Sequence, residues 1–530
     1  MFFDALAGEL PSDLSYDLCI VGAGAAGIAL ALEFAQDTGT RVCVLEGGGL
    51  EYDPDSQDLY RGEIVGRDYD DLDTCRLRYF GGTTNHWAGY CLPFSQNSFE
   101  RRSWIADSGW PITREDVTPY YERAHALLGL PTEGGWNPGR GWTSEGLEAH
   151  YGSPRLPHRF EHFDENALMI SPVRMGEVFE EQLRNAKHID VLLNANAVEV
   201  EVDDFGQNAR GVTVRTFAGN SFTVDARMVT VATGGLENVR LLLSSTSVRP
   251  DGLGNQNGLV GRYFADHIDI APGHLVPTNP GLNLSLYQRR DISRDTESVV
   301  WHEVTPEAQE RFELIPCSVR LLARTSASDR DGRRALRQLN RDLATKRSPR
   351  DFGNHVMNFV SDIEPIGGFA SRYLWYGNIP IAKAVYEMSL APAPNPDSRV
   401  ALTGETDQLG MRRLQLDWRL SEIDFRTIRW AATAFADHAA AHGLGRSVLE
   451  LEDSALSEMT RLTWHHMCTT RMASSPRKGV VDSDCRVHGM DNLYIAGSSV
   501  FSTSGWGTPT LMIVALAQRL ADHLKGRMAA

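Results

Sequence analysis

The run Tyr16–Val21 leads without a break into Gly22-Ala23-Gly24-Ala25-Ala26-Gly27, and this junction constrains the fold more than any other stretch. A short apolar run with a β-branched end reads as a buried strand, and the small apolar residues from Ile28 through Leu32 to Phe34 read as a helix. Arg41 to Leu45 then alternates as a second strand and stops at Glu46. In such a unit the first glycine permits a tight turn and the second lets backbone approach a pyrophosphate. The third lets the helix pack on the strand, and the helix N-terminus faces the phosphates. Glu46 lies nineteen residues beyond Gly27, where a carboxylate takes both ribose hydroxyls and disfavours a 2′-phosphate. The chain therefore begins with a βαβ dinucleotide unit, which serves FAD and NAD equally well at this point.

A single βαβ unit uses little of a 530-residue chain, which is long enough for two or more domain-sized cores. Acidic residues exceed basic ones by 69 − 52 = 17, which argues against nucleic acid as the main partner. Cys19, Cys43, Cys75, Cys91, Cys317, Cys468 and Cys485 are scattered and lack metal-type spacing. They read as free thiols in a reduced compartment, with no metal site. No apolar run has the length of a membrane helix. Met1-Phe2-Phe3-Asp4-Ala5 lacks the basic start and apolar core of a signal peptide. A cytoplasmic location is the expectation.

Residues 51–130 have weak periodicity and read as loops and short helices. Val191 to Val202 and Gly211 to Phe217 alternate as sheet strands. Met228 to Ala232 reads as a buried strand that ends at Thr233-Gly234-Gly235, before a helical Leu236 to Leu243. From about 275 to 400 proline rises, and strand-like runs alternate with loops. Ser421 to His442 reads as a helix, with Ser421 as cap, Asp424 in the capping-box position and Gly443 as terminator. Residues 324–350 hold nine basic and three acidic side chains, with Leu336, Leu339 and Leu343 at helical spacing. That pattern fits a solvated amphipathic helix over the substrate domain, with a lid or partner surface as the other reading. The organisation expected is discontinuous. Residues 1–95, 190–275 and 455–530 form a nucleotide-binding domain, and 96–189 with 276–454 form a substrate domain.

Two further blocks carry chemistry. Phe80-Gly81-Gly82-Thr83-Thr84-Asn85-His86-Trp87-Ala88-Gly89 combines glycines that admit a ligand close to the backbone with one nucleophilic imidazole. It reads equally well as a glycine-rich surface loop with a structural histidine. Near the C-terminus, Trp464-His465-His466-Met467-Cys468-Thr469-Thr470 is followed by Gly497-Ser498-Ser499 and by Gly507-Thr508-Pro509-Thr510. An imidazole near neutral pKa is the usual base for taking a hydroxyl proton, although a histidine pair is also a common structural feature. The proline is placed in the first turn of the last helix. A second dinucleotide motif is missing, as is a Cys-x-x-x-x-Cys redox pair, which tilts the reading toward a flavoprotein that oxidises its substrate directly.

Nearly end to end, the chain resembles the glucose-methanol-choline (GMC) flavoprotein oxidoreductases. The motifs are the N-terminal glycine turn, the Gly81-Gly82 loop, Ser108-Gly109-Trp110-Pro111, Gly234-Gly235-Leu236-Glu237-Asn238, Val260-Gly261-Arg262-Tyr263-Phe264-Ala265-Asp266-His267, and above all the C-terminal block. That block is most similar to bacterial sugar or polyol dehydrogenases and to the pyranose-oxidase branch. The resemblance implies an α/β chain, α+β overall. A Rossmann-like FAD-binding domain would carry a discontinuous substrate domain of sheet and helices. It further implies FAD contacts at Gly22, Gly24, Ala25, Gly27, Glu46, Gly81, Gly82, Thr83, Asn85, His86, Trp87, Ala88, Val198, Ala232, Gly234, Gly497, Ser498, Pro509 and Thr510. A histidine at the place of His86 bonds covalently to the flavin in two branches, so the resemblance extends a covalent link to His86.

The family pattern His-x-x-Gly-Thr aligns His465, not His466, with the base that takes the substrate hydroxyl proton while hydride passes to flavin N5. The second polar residue, His or Asn in the family, falls on Thr508, and the glycine falls on Cys468. Thr508 offers one rotatable hydroxyl where an amide offers two donors, and one lost donor to a developing alkoxide costs about 3 kcal/mol. Cys468 reads either as a packing residue or as a redox-sensitive thiol. The implied reaction is oxidation of a hydroxyl on a sugar, glycoside or polyol-like natural product. His465 abstracts the proton, Thr508 orients the alkoxide, and oxygen, a quinone or a redox protein accepts the electrons. Two other readings keep the fold: a non-redox lyase using His465 as acid/base, and the flavin subunit of an electron-transfer complex.

Overall fold

A computed structural model describes residues 1–36, 39–131, 136–137, 141–142, 160–279, 282, 284–287, 289–291, 296–324 and 381–529. Apart from Arg324, the basic segment 324–350 lies outside the described residues.

Two sheets position everything that follows. In the first, Phe2–Asp4, Ile189–Leu193, Val42–Leu45, Ser15–Val21 and Ser221–Val231 run parallel in that spatial order. Leu493–Ile495 adds in parallel to the end of Ser221–Val231, and Ala209–Arg215 and Asn196–Val202 complete an antiparallel meander. Helices cover a parallel sheet on both faces, so its strands are apolar throughout rather than alternating. Leu18, Cys19 and Ile20 are accordingly fully buried, as is all of Val42–Leu45. Helix Ala25–Phe34 packs against the last helix, Thr510–Ala529, which ties the two chain ends together.

The second sheet is antiparallel. Its order is Gly445–Leu449, Gly273–Pro277, Lys383–Leu390, Cys317–Arg324, Glu297–Val304, Phe163–Ile170 and Tyr90–Cys91, with Ile268–Ile270 and Arg461–Leu462 attached beside Lys383–Leu390. Alternation is strict along Lys383–Leu390. Ala384, Tyr386, Met388 and Leu390 are fully buried, while Val385, Glu387 and Ser389 turn to the opposite face. Helix Glu422–Ala441 packs against this strand and its neighbour Cys317–Arg324. The Ser421–Asp424 capping box expected from sequence starts that helix.

Local departures from the expected elements have plain causes. The single strand expected over Val191 to Val202 is two, because Asn194 turns the corner in the left-handed region at φ +54°. The strand expected at Met228 to Ala232 is the tail of a longer one, Ser221–Val231. Pro509 precedes the last helix instead of lying in its first turn, and its carbonyl accepts the Ile513 N–H. Strands Tyr90–Cys91, Ile268–Ile270, Gly273–Pro277 and Arg461–Leu462 hydrogen-bond into the second sheet, although the expected division places nearly all of them with the nucleotide half.

Candidate active site

At the carboxyl end of Ser15–Val21 the chain makes the glycine turn. Gly22 sits at φ +104°, and a Cβ there would stand 2.7 Å from the Ala232 carbonyl oxygen. A Cβ on Gly27 would lie 1.8 Å from the Gly22 carbonyl oxygen, so only glycine lets the helix close on the turn. A Cβ on Gly24, by contrast, would meet nothing within 4 Å, since this residue faces open cavity. Glu46 follows Val42–Leu45 and is buried. One carboxylate oxygen accepts the Ala23 N–H and the other the Gly48 N–H, both at 2.9 Å. Each oxygen keeps a lone pair for a ribose hydroxyl. Burial raises the Glu46 carboxyl above its usual range against the pull of these two amides.

From this cradle a cavity of about 1370 Å³ runs past Gly82, Thr83, His86, Trp87 and Ala88 to His465 and the second sheet. Of the residues expected to contact cofactor, Gly27, Gly81, Asn85 and Val198 do not line it. Gly27 is packed under the turn, and Gly81 donates its N–H to the Ala23 carbonyl (2.8 Å), pinning the two loops together. Asn85 is turned back onto the Phe80 carbonyl (2.8 Å). Val198 lies on the wrong side of its strand, in an apolar cluster with Leu59 and Leu409, so the alternation that buries it presents Ala197 to the cavity. The other expected residues, from Gly22 and Gly24 to Pro509 and Thr510, line the cavity wall.

The histidine loop is held on both sides. Cys468 and Thr470 donate their N–H groups to the carbonyls of Ser498 and Ser499, and the Ser498 hydroxyl donates to the His466 carbonyl (2.6 Å). A Cβ on Gly235 would be 2.1 Å from that same carbonyl oxygen, so glycine at the start of helix Gly234–Ser244 lets the loop press onto it. Asp266, fully buried, accepts from the Tyr69 hydroxyl (2.6 Å), the Thr463 hydroxyl, and the Trp464 and His465 N–H groups (3.1 and 2.8 Å).

The two histidines then separate by role. His466 also borders the cavity but packs between Tyr69 and Phe264, with its Nε2 3.5 Å from the Cys75 sulfur, and burial pushes it down to about 3. His465 lines the cavity, and its Nδ1 lies 2.8 Å from Nδ1 of His267. His267 places its other nitrogen 2.6 Å from the Gly505 carbonyl oxygen. A carbonyl only accepts, so His267 Nε2 carries the proton and its Nδ1 accepts. His465 must therefore donate from Nδ1, which leaves Nε2 as the nitrogen with the free lone pair. Burial first, and the facing His267 ring second, hold His465 well below the ordinary histidine range. It stays neutral and basic-ready at physiological pH.

Thr508 also lines the cavity, but its hydroxyl donates to the Tyr90 carbonyl. A hydroxyl has one proton, so on this geometry Thr508 can accept from a ligand but cannot donate to an alkoxide. The residue that faces His465 is His267 instead. The pair spans 198 positions, and the only sequence signal for it was the Asp266-His267 dipeptide. Cys468 is buried, its thiol pushed up to about 12 by burial, which fits packing rather than redox chemistry. Its backbone lies at φ +69°, the left-handed conformation for which the family pattern has glycine. All seven cysteines are buried and none is bonded to another.

A Rossmann-type cradle joined by one cavity to a neutral histidine defines the class, a dinucleotide-dependent oxidoreductase. Residues 394–517 match the family described as GMC oxidoreductase. The chain is 23% identical to the 2-methyl-1,2-propanediol dehydrogenase of Mycolicibacterium austroafricanum over 96% of this chain and 95% of that one. It is 25% identical to the 6'''-hydroxyparomomycin C oxidase of Streptomyces lividus over 98% and 93%. A crystal structure of formate oxidase superposes with a TM-score of 0.57 at 16% identity, covering 98% of this chain and all of the other, and so shares the fold. The cavity fits FAD by the open space at Gly24, the tight Gly22–Ala232 approach and the available lone pairs of Glu46.

Proposed function

We propose that this protein oxidises a hydroxyl-bearing carbon of a sugar, glycoside or polyol-like compound, with His465 Nε2 as the base that takes the hydroxyl proton. The observation that carries this reading is the fixed tautomer of His465 at one end of the same cavity whose other end is the Glu46 cradle. FAD, when bound, supplies the hydride acceptor. The chain's own part is positional. Gly505 and His267 hold the imidazole with its lone pair outward, Asp266 fixes the loop, and Thr508 offers an acceptor to a neighbouring substrate hydroxyl. Relatives named for a diol and for an aminoglycoside support this substrate range. Oxygen, a quinone or a redox protein takes the electrons onward. The domain division at 95, 189, 275 and 454 and a cytoplasmic location belong to the same proposal. Among the described residues no helix is long and apolar enough to cross a membrane.

Anaerobic mixing with a panel of sugars, glycosides and diols is expected to bleach the yellow flavin absorbance with at least one class. A holoprotein that turns over such a compound while the flavin stays oxidised would establish the lyase reading instead. His86 faces the cavity from the turn Gly82–Asn85, and we propose it as the site of a covalent flavin tether. Acid precipitation of the holoprotein should then give a yellow pellet, and His86→Ala a yellow supernatant. A yellow supernatant from the unaltered protein removes the tether.

A further inference from the structure

The end of the cavity remote from Glu46 is walled by one face of the second sheet, and strand register decides which side chains stand there. Asp269 pairs with Ser389 across Ile268–Ile270 and Lys383–Leu390. Arg320 pairs with Glu387 across Cys317–Arg324 and Lys383–Leu390, and all four line the cavity. Arg320 and Glu387 neutralise each other at 2.5 Å, with the guanidinium 4.4 Å over the Trp301 ring.

That leaves the Asp269 carboxyl without a cation of its own. Ser389 is its hydrogen-bond partner, Glu387 and Asp266 repel its charge, and Arg320 attracts it but is already engaged. Arg461 stands opposite Asp269 in register and lines the same cavity, but the two make no ion pair. Burial keeps the carboxyl up to about 7. His267 and Asp269 are two residues apart and both face the cavity, so Asp269 stands one pleat repeat, ~7 Å, beyond the His267–His465 pair.

We propose that Asp269 is the specificity-determining residue of this cavity and that it takes a protonated amine on the substrate, ~7 Å from the hydroxyl served by His465. The proposal rests on the hydroxyl-oxidation reading and narrows its substrate class to amino sugars and aminocyclitols. An ammonium group supplies the ion-pair partner that Asp269 lacks, and a charge-assisted bond in a cavity is stronger than its neutral counterpart.

Titration calorimetry of the FAD-loaded protein, comparing D-glucosamine with D-glucose and 2-deoxystreptamine with myo-inositol, tests it. The amino member of each pair should bind at least tenfold more tightly. Amine affinity should rise as pH rises through about 7, because Asp269 ionises there, and fall again at the higher pH where the amine loses its own proton. In Asp269→Asn the preference and its pH dependence should both vanish, a loss of about a hundredfold for the amines. Equal affinities within the pairs, no binding of the amines, or a pH-independent preference would overturn the assignment, and the unaltered protein alone decides these. Flavin bleaching by the same compounds is read separately. Amine binding without bleaching would overturn the oxidation and leave the site. Bleaching by the neutral compounds as readily as by the amines would overturn the site and leave the oxidation.

Discussion

His465→Ala is expected to slow anaerobic flavin reduction about a thousandfold, the middle of the range for a positioned acid–base group. The hydrogen bond to His267, itself tied to Gly505, fixes the imidazole's tautomer and leaves the Nε2 lone pair unused. The variant should keep its FAD, because no expected cofactor contact is altered. His267 Nδ1 loses its donor in the variant, but the vacated space opens to the cavity, where water can replace the bond. Rapid-mixing absorbance against a reducing substrate is the measurement, with FAD content and thermal midpoint as controls. Reduction within tenfold of the unaltered rate would take His465 out of the chemistry.

Asp266→Ala is expected to destabilise the holoprotein by about 4 kcal/mol. The carboxylate is fully buried and accepts from four donors, two of them backbone N–H groups of Trp464 and His465. Hydroxyls of Tyr69 and Thr463 can rotate to other partners, but the two amides cannot, and each buried orphan costs about 2 kcal/mol. Trp464 sits at φ +63°, a conformation rare for a bulky side chain, so the loop also loses what holds a strained turn. Urea denaturation at fixed FAD concentration checks the figure, and a change under about 1 kcal/mol would show that other contacts carry the loop. Flavin reduction should slow in the same variant, since the freed amide belongs to the base itself.

Much of the architecture was legible because its causes are local. The glycine turn with Glu46, the capping box at Ser421 and Asp424, and the apolar runs of the parallel sheet depend on residues close in sequence. Spacing to Thr469 points to His465 rather than its neighbour, and His466 packs between Tyr69 and Phe264. What sequence left out depends on register between distant strands. The His267–His465 contact and the Asp269–Ser389 and Arg320–Glu387 pairs each join separate segments. Val198 and Ala197 differ by one position on a strand, and that single step decides which of them meets the cavity. Thr508 shows a further limit, since a hydroxyl's role depends on where its one proton goes, here to the carbonyl of Tyr90.

Strand Lys383–Leu390 carries one further consequence. Its even-numbered residues are sealed into the core, and on the opposite face Glu387 and Ser389 line the cavity. The two sets share a backbone but stand on opposite faces, so inheritance can rewrite one while the other stands still. A descendant of this enzyme can therefore acquire a new substrate by changes at 387 and 389 alone, keeping its folding stability and its base as inherited. Divergence within such a lineage should gather on alternate positions of this strand, with the residues between them slow to change.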